Sequence, residues 1–171
     1  MATYAPERQA EFFREAHDRC FTGSAPTLRL YAETHGSESV RMWLSAQIKD
    51  LCEFAGAKKP QPAAMEDIAA TIVAQYPGLK LTEFMVFCHL FKAGHYGHFY
   101  GTCDPLVLTA SLKEFVEGYR QREHARIARE EDSRARAAYN AVALTLDEAV
   151  AAGLCPNIAA LLARHRGRAR S

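Results

Sequence analysis

The chain has 171 residues, of which 49% are hydrophobic and 24% charged, with a formal net charge of +1. That length suits one domain with an appendage, and the composition excludes disorder over most of it and any need for disulfides to hold a core. No run of about twenty apolar residues is present to cross a bilayer, and the amino terminus has no basic segment followed by an apolar run, so no secretory signal is expected.

In chain order the helical period dominates. Over residues 6–21, Phe13, Ala16 and Cys20, with Phe12 and Phe21 beside them, recur at three- and four-residue spacing and predict one amphipathic helix with Pro6 in its first turn. Residues 22–27 form a connector by composition, and residues 28–34 a short helix before Gly36. Ser37 or Ser39 is expected to cap the next helix, whose residues Val40, Trp43, Leu44, Ile48, Leu51 and Ala55 make one apolar stripe ending at Gly56. Pro60 and Pro62 break the chain. A fourth helix over residues 63–75 follows, with Met65, Ile68 and Ile72 on one side and Pro77-Gly78 at its end.

Thr82 and Glu83 open a fifth helix, residues 83–93. Phe84, Met85, Val86, Phe87, Leu90 and Phe91 make it apolar almost all round, which places it inside a domain or under a partner. Gly94 is suited to stop it in a left-handed conformation. After a loop, Asp104 and Pro105 reopen helix as a cap and a first-turn proline, and Leu106, Leu108, Leu112, Phe115 and Val116 are expected to be buried. From residue 119 to 137 glutamates and arginines at three- and four-residue spacing replace the apolar face and predict a solvated, projecting helix. Residues 145–162 open on the capping box of Thr145 and Glu148 and read as two short helices joined at Gly153, a spacing shared with helix-turn-helix units.

The expected fold is therefore all-α. A compact bundle of about five to six helices (residues 1–120) carries a charged extension (121–144) and a small helical pair (145–171) that ends in a basic tail. Arg164, Arg166, Arg168 and Arg170 lie in that tail with no acid among them, an end suited to phosphates.

Chemistry-bearing residues concentrate in residues 91–104, which hold three glycines, four aromatics, two histidines, a lysine and a cysteine. A loop of that composition packs locally or meets a partner. In the first reading Gly94, Gly97 and Gly101 supply positive φ or close approach, Tyr96, Phe99 and Tyr100 plug helix ends, and Asp104 caps. In the second, Lys92, His95, Tyr96, His98 and Tyr100 form a face that stacks on bases, contacts phosphates or anchors a protein. Cys88, His95, His98 and Cys103 are zinc-ligand types, but their spacing and the apolar surroundings of Cys88 argue against a metal site. Cys103 beside His95 or His98 is the one local option for a nucleophile. Glu83 reads as a first-turn charge and Glu114 as a solvated residue. No cofactor, metal or enzymatic activity is expected. Five scattered cysteines, none in a Cys-x-x-Cys pair, favour free thiols and a reducing, cytoplasmic setting.

The helix around Ile68 to Tyr76, the entry Leu79 to Phe84, the turn from Lys92 through His95, Tyr96, His98 and Tyr100 to Gly101, Asp104, and the helix to Phe115 and Tyr119 together resemble a family of small helical proteins. That family is carried by phages and mobile elements of Bacteroides-type bacteria. The order of helix, glycine–tyrosine turn and helix is also similar to segments of phage replication accessory proteins, helicase loaders among them. The resemblance implies a non-enzymatic accessory protein that binds a replicative helicase, single-stranded DNA or both. Two alternatives stay open: a protein-only adaptor or inhibitor of a host enzyme or defence system, docking through the fifth helix and the loop, and a DNA-binding regulator using the carboxy-terminal helix-turn-helix.

Overall fold

Apolar residues spaced three and four apart fold into helices through most of the chain, and among the described residues no strand forms. The structure is a computed structural model that describes residues 2–142, 148 and 151–153. The all-α class expected from the sequence is what the chain adopts. It divides into two units, residues 1–127 and 128–171.

The first unit opens on two 3-10 turns, Ala2–Tyr4 and Pro6–Arg8, and continues through α1 (Gln9–Glu15), α2 (His17–Thr22), α3 (Leu28–His35), α4 (Ser37–Phe54), α5 (Pro62–Gln75), α6 (Leu81–Lys92) and α7 (Pro105–Glu114). A π-helical segment, Phe115–Arg120, joins α7 to α8 (Gln121–Val142).

Helix α6 lies at the centre. Every residue from Leu81 to Phe91 except His89 is buried, and the helix packs against α1, α2 and α4. Aromatic rings surround it: Trp43 and Phe87 meet Phe84 at 5.7 and 5.6 Å, and Phe115 meets Phe87 at 5.7 Å. Each ring removes a large apolar area from water. A buried polar chain ties the amino terminus to α4. Trp43 Nε1 and Gln47 Nε2 both donate to the Tyr4 carbonyl, at 2.8 and 2.9 Å, and Gln9 Nε2 donates to Gln47 Oε1 at 2.6 Å.

Four local expectations are corrected. The single helix expected over residues 6–21 breaks at Ala16, whose φ and ψ are −136° and 25°. Past that break α2 takes its direction from α6. Thr82 Oγ1 donates to the Cys20 carbonyl at 2.7 Å, and Lys80 Nζ donates to the Phe21 and Gly23 carbonyls at 2.6 and 2.8 Å. These bonds satisfy the open end of α2 through tertiary partners, which periodicity does not encode. Gly36, not Ser37 or Ser39, occupies the N-cap of α4, because Ser39 Oγ donates back to the His35 carbonyl at 2.8 Å.

Leu106 is 77% exposed. It sits two residues before Leu108, roughly 200° around the helix from the face that buries Leu108, Leu112 and Phe115. Lastly, the charged stretch is not solvated from its start. Tyr119 meets His17 of α2, Arg120 and His124 meet Glu83 of α6, Ile127 is buried, and the first unit runs past residue 120 to Ile127.

In the second unit, the side chains of residues 128–141 are exposed apart from a half-buried Glu130. Arg134 pairs with Glu130 at 3.5 Å and Arg136 with Asp132 at 3.1 Å, each four residues apart. Such exposed pairs contribute only about 0.3–0.5 kcal/mol apiece. The capping threonine Thr145, most of the expected helix-turn-helix, Cys155, and Arg164, Arg166 and Arg168 of the tail lie outside the described residues.

Candidate functional site

The loop after α6 is held at both ends and in its middle. His95 N–H donates to the Leu90 carbonyl at 3.1 Å and Gly94 N–H to the Phe91 carbonyl at 3.0 Å, with Gly94 at φ +81°. This double return is the usual left-handed closure of a helix. Tyr96 and Phe99 then turn inward, their rings 5.8 Å from Phe87 and 5.0 Å from Phe91. Gly97 passes so close to α7 that a Cβ there would meet Val107 Cγ1 at 3.0 Å. Gly101, at φ +74°, accepts from Lys58 N–H at 2.8 Å, and Cys103 N–H donates to the Lys58 carbonyl at 2.9 Å. Asp104 accepts from Leu106 N–H at 2.8 Å and caps α7.

The five loop residues singled out in the sequence separate into two groups. Lys92 Nζ donates to Asp50 Oδ2 at 2.5 Å and lies 5.5 Å from the centre of the Phe54 ring, so its charge is engaged within the protein. Tyr96 is half-buried, and burial, ahead of the charge on Glu114, pushes its phenol up to about 12. His95, His98 and Tyr100 face solvent. Tyr100 is 81% exposed, and its ring centre lies 4.2 Å from that of His98. Tyr96 and Phe99 therefore serve as plugs, whereas Tyr100, the third plug of the packing reading, is an outward residue paired with His98.

The residues of zinc-ligand type are not gathered into one site. Cys88 is wholly buried inside α6, His95 and His98 are exposed, and Cys103 is buried at the far end of the loop. Burial drives the Cys88 thiol far above its ordinary value. Among the described residues, the grouping with metal-ligand spacing is His17, Asp18 and Glu123, whose donor atoms lie within 4.8 Å of one another. Arg126 already stands between the two acids, at 2.5 Å from Asp18 Oδ1 and 2.9 Å from Glu123 Oε2. The hydrogen bond from Arg126 holds the Asp18 carboxyl below its usual range.

Along the same helical stretch after α7, Arg120 and His124 meet Glu83. The carboxylate is fully buried. Its Oε2 accepts from Lys80 N–H at 2.9 Å, as the third helical residue of a capping box does, and forms an ion pair with Arg120 Nε at 2.9 Å. His124 Nε2 is 2.7 Å from its other oxygen. Next to it, the Tyr119 hydroxyl and His17 Nε2 lie 2.8 Å apart. The other ring nitrogen, Nδ1, faces Asp18 and Glu123 at 3.5 and 3.7 Å. The first-turn charge expected at Glu83 is thus also the anchor of α8. Its partners Arg120 and His124 were readable only as residues four apart, with Ile127 three further on, on one face of a helix otherwise taken as solvated.

The first unit is thus an all-α protein built around a buried apolar helix, with a pinned glycine–aromatic loop at one end of that helix and a buried carboxylate at the other. Residues 59–149, just over half of the chain, match the model of a family of unknown function, DUF6633, and the chain belongs to that family. The matched segment contains the loop, Glu83, Arg120 and His124; His17, Asp18 and Cys52 precede it. No curated protein and no solved structure matches the chain. Among the described residues no helix is long and apolar enough to cross a membrane.

Proposed function

We propose that this protein is a non-enzymatic, cytoplasmic accessory factor in the DNA replication of a phage or mobile element, and that its loop binds a replicative helicase, single-stranded DNA or both. The observation that carries this reading is the outward pair of His98 and Tyr100, 4.2 Å apart, on a loop fixed by Phe99, Gly101 and Asp104. An exposed aromatic on a held backbone loses little freedom when it stacks on a base or enters a pocket. Lys92 and Tyr96 act as supports, one anchoring the loop to α4 and the other to α6. Their inward contacts leave the contact itself to His95, His98 and Tyr100. The rival reading docks a partner through the fifth helix and the loop; that helix is α6, buried from Leu81 to Phe91 apart from His89, so such docking would fall on the same loop.

The test is recovery of partners from the native host by the tagged full chain, with and without nuclease, beside the double variant His98→Ala/Tyr100→Ala. The proposal expects a replicative helicase with the parent chain, retained after nuclease if the contact is direct, and lost with the variant. Equal recovery by a folded variant removes the loop from the account.

A further inference from the structure

Cys52 lies in the last turn of α4, and Cys103 ends the loop one residue before the Asp104 cap. Three main-chain bonds bring these two parts of the chain together. Ala57 N–H donates to the Cys52 carbonyl at 2.8 Å, Lys58 N–H to the Gly101 carbonyl at 2.8 Å, and Cys103 N–H to the Lys58 carbonyl at 2.9 Å. Lys58 and Thr102 thereby form an isolated parallel bridge. Both thiols are free and buried, and they interact with each other. The other two described cysteines are placed differently. Cys20 Sγ donates to the Phe12 carbonyl at 3.6 Å, and Cys88 is enclosed within α6.

We propose that Cys52 and Cys103 are a reversible dithiol–disulfide pair whose oxidation fastens the carboxy-terminal end of the loop to α4. The hydrogen bond with Cys103, helped by the ammonium of Lys59, holds the Cys52 thiol below its ordinary value, and the same bond raises Cys103. With the ammonium of Lys59 beside Cys52 and the carboxylate of Asp104 beside Cys103, Cys52 is the attacking sulfur and Cys103 the resolving one. With hydrogen peroxide as oxidant, the Cys52 thiolate attacks one peroxide oxygen. An S–O bond forms, the O–O bond breaks, and the departing hydroxide takes up the proton that Cys52 released. The Cys103 sulfur then attacks the Cys52 sulfur; the S–S bond forms, the S–O bond breaks, and hydroxide leaves with the Cys103 proton as water. Two thiols lose two electrons and two protons, and one peroxide becomes two waters.

Burial makes the reaction wait on opening of the loop, so oxidation is slow in the native chain and faster in mild denaturant. The bond forms whatever the loop contacts, so it stands apart from the proposed replication role.

The full chain is exposed to hydrogen peroxide, its remaining thiols are alkylated after denaturation, and its peptides are mapped without reductant. The expected product is one linked pair of peptides carrying Cys52 and Cys103, about 2 Da lighter than the two thiols and released by dithiothreitol, with Cys20 and Cys88 still alkylated. The oxidised chain melts on the order of 5 °C higher. In Cys103→Ser the oxidised Cys52 persists as a sulfenic acid that dimedone traps. A bridge to Cys155 or between two chains, or Cys52 and Cys103 both still alkylated after prolonged oxidation in mild denaturant, overturns the proposal. The parent-chain map decides the matter even if the serine variant does not fold.

Discussion

Arg120 Nε stands 2.9 Å from Glu83 Oε2, and of the two groups only the guanidinium reaches water. Its side chain is 27% exposed, whereas Glu83 has no solvent access. The pair is therefore asymmetric. Removing the arginine leaves a buried carboxylate with only the Lys80 N–H and His124 as partners, while removing the carboxylate charge leaves an arginine that can turn to solvent.

Arg120→Met is expected to destabilise the chain by about 3–5 kcal/mol, and Glu83→Gln by about 1–2 kcal/mol. Urea unfolding followed by circular dichroism checks the order. A larger loss for Glu83→Gln contradicts the asymmetry.

Ile127 is the last buried residue before the exposed part of α8. Ile127→Ala is expected to cost about 2–4 kcal/mol, and Arg129→Ala, two residues on and exposed, less than about 0.5 kcal/mol. Similar small effects at both positions would place the end of the packed unit earlier in the chain.

His89 is half-buried against Phe13, ring centres 4.4 Å apart. Burial, followed by the charges of Lys92, Arg14 and His95, lowers its pKa below the ordinary 6.5. The unfolded chain thus binds this proton at a higher pH than the folded one. The contribution of His89 to stability is whole above pH 6.5 and is lost as the pH falls through the lower folded value. NMR titration should find the ring below 6.5, and His89→Gln should flatten the loss of stability between pH 7 and 5. A ring that titrates at or above 6.5 rejects this assignment.

Gly94 at φ +81° and Gly97 under Val107 shape the loop for different reasons. Gly94→Ala is expected to cost about 1–2 kcal/mol through backbone strain alone, with loop contacts intact. Gly97→Ala instead displaces Val107, and its signature is a shifted Val107 methyl resonance. The same loss of stability without that shift would show that the close approach has no consequence.

What the sequence made legible follows from how local each signal is. The helical period over residues 40–54 and 83–92, the stop at Gly94 and the cap at Asp104 depend on neighbours in the chain, and they stand where the sequence places them. The two faces of the loop were also legible as alternatives, though not the division between inward Tyr96 and outward Tyr100, which only packing against Phe87 decides. The burial of Glu83 was hidden because a first-turn glutamate looks the same whether water or Arg120 faces it. The π-helical segment, which brings Tyr119 and Arg120 to α2 and α6, has no marker in composition. The break at Ala16 and the meeting of Cys52 with Cys103 depend on contacts between distant segments, so periodicity could not report them.

The most direct test of the loop as a contact surface is the affinity of the full chain for the purified helicase of its host and for fluorescent oligo-dT, measured at two salt concentrations. His98→Ala/Tyr100→Ala should weaken the relevant affinity by about tenfold or more, as loss of one stacking anchor does, while the circular dichroism spectrum stays that of the parent. A steep fall with salt assigns the contact to phosphate, and a shallow one to the helicase. Unchanged affinity for both ligands in the folded double variant would contradict the account.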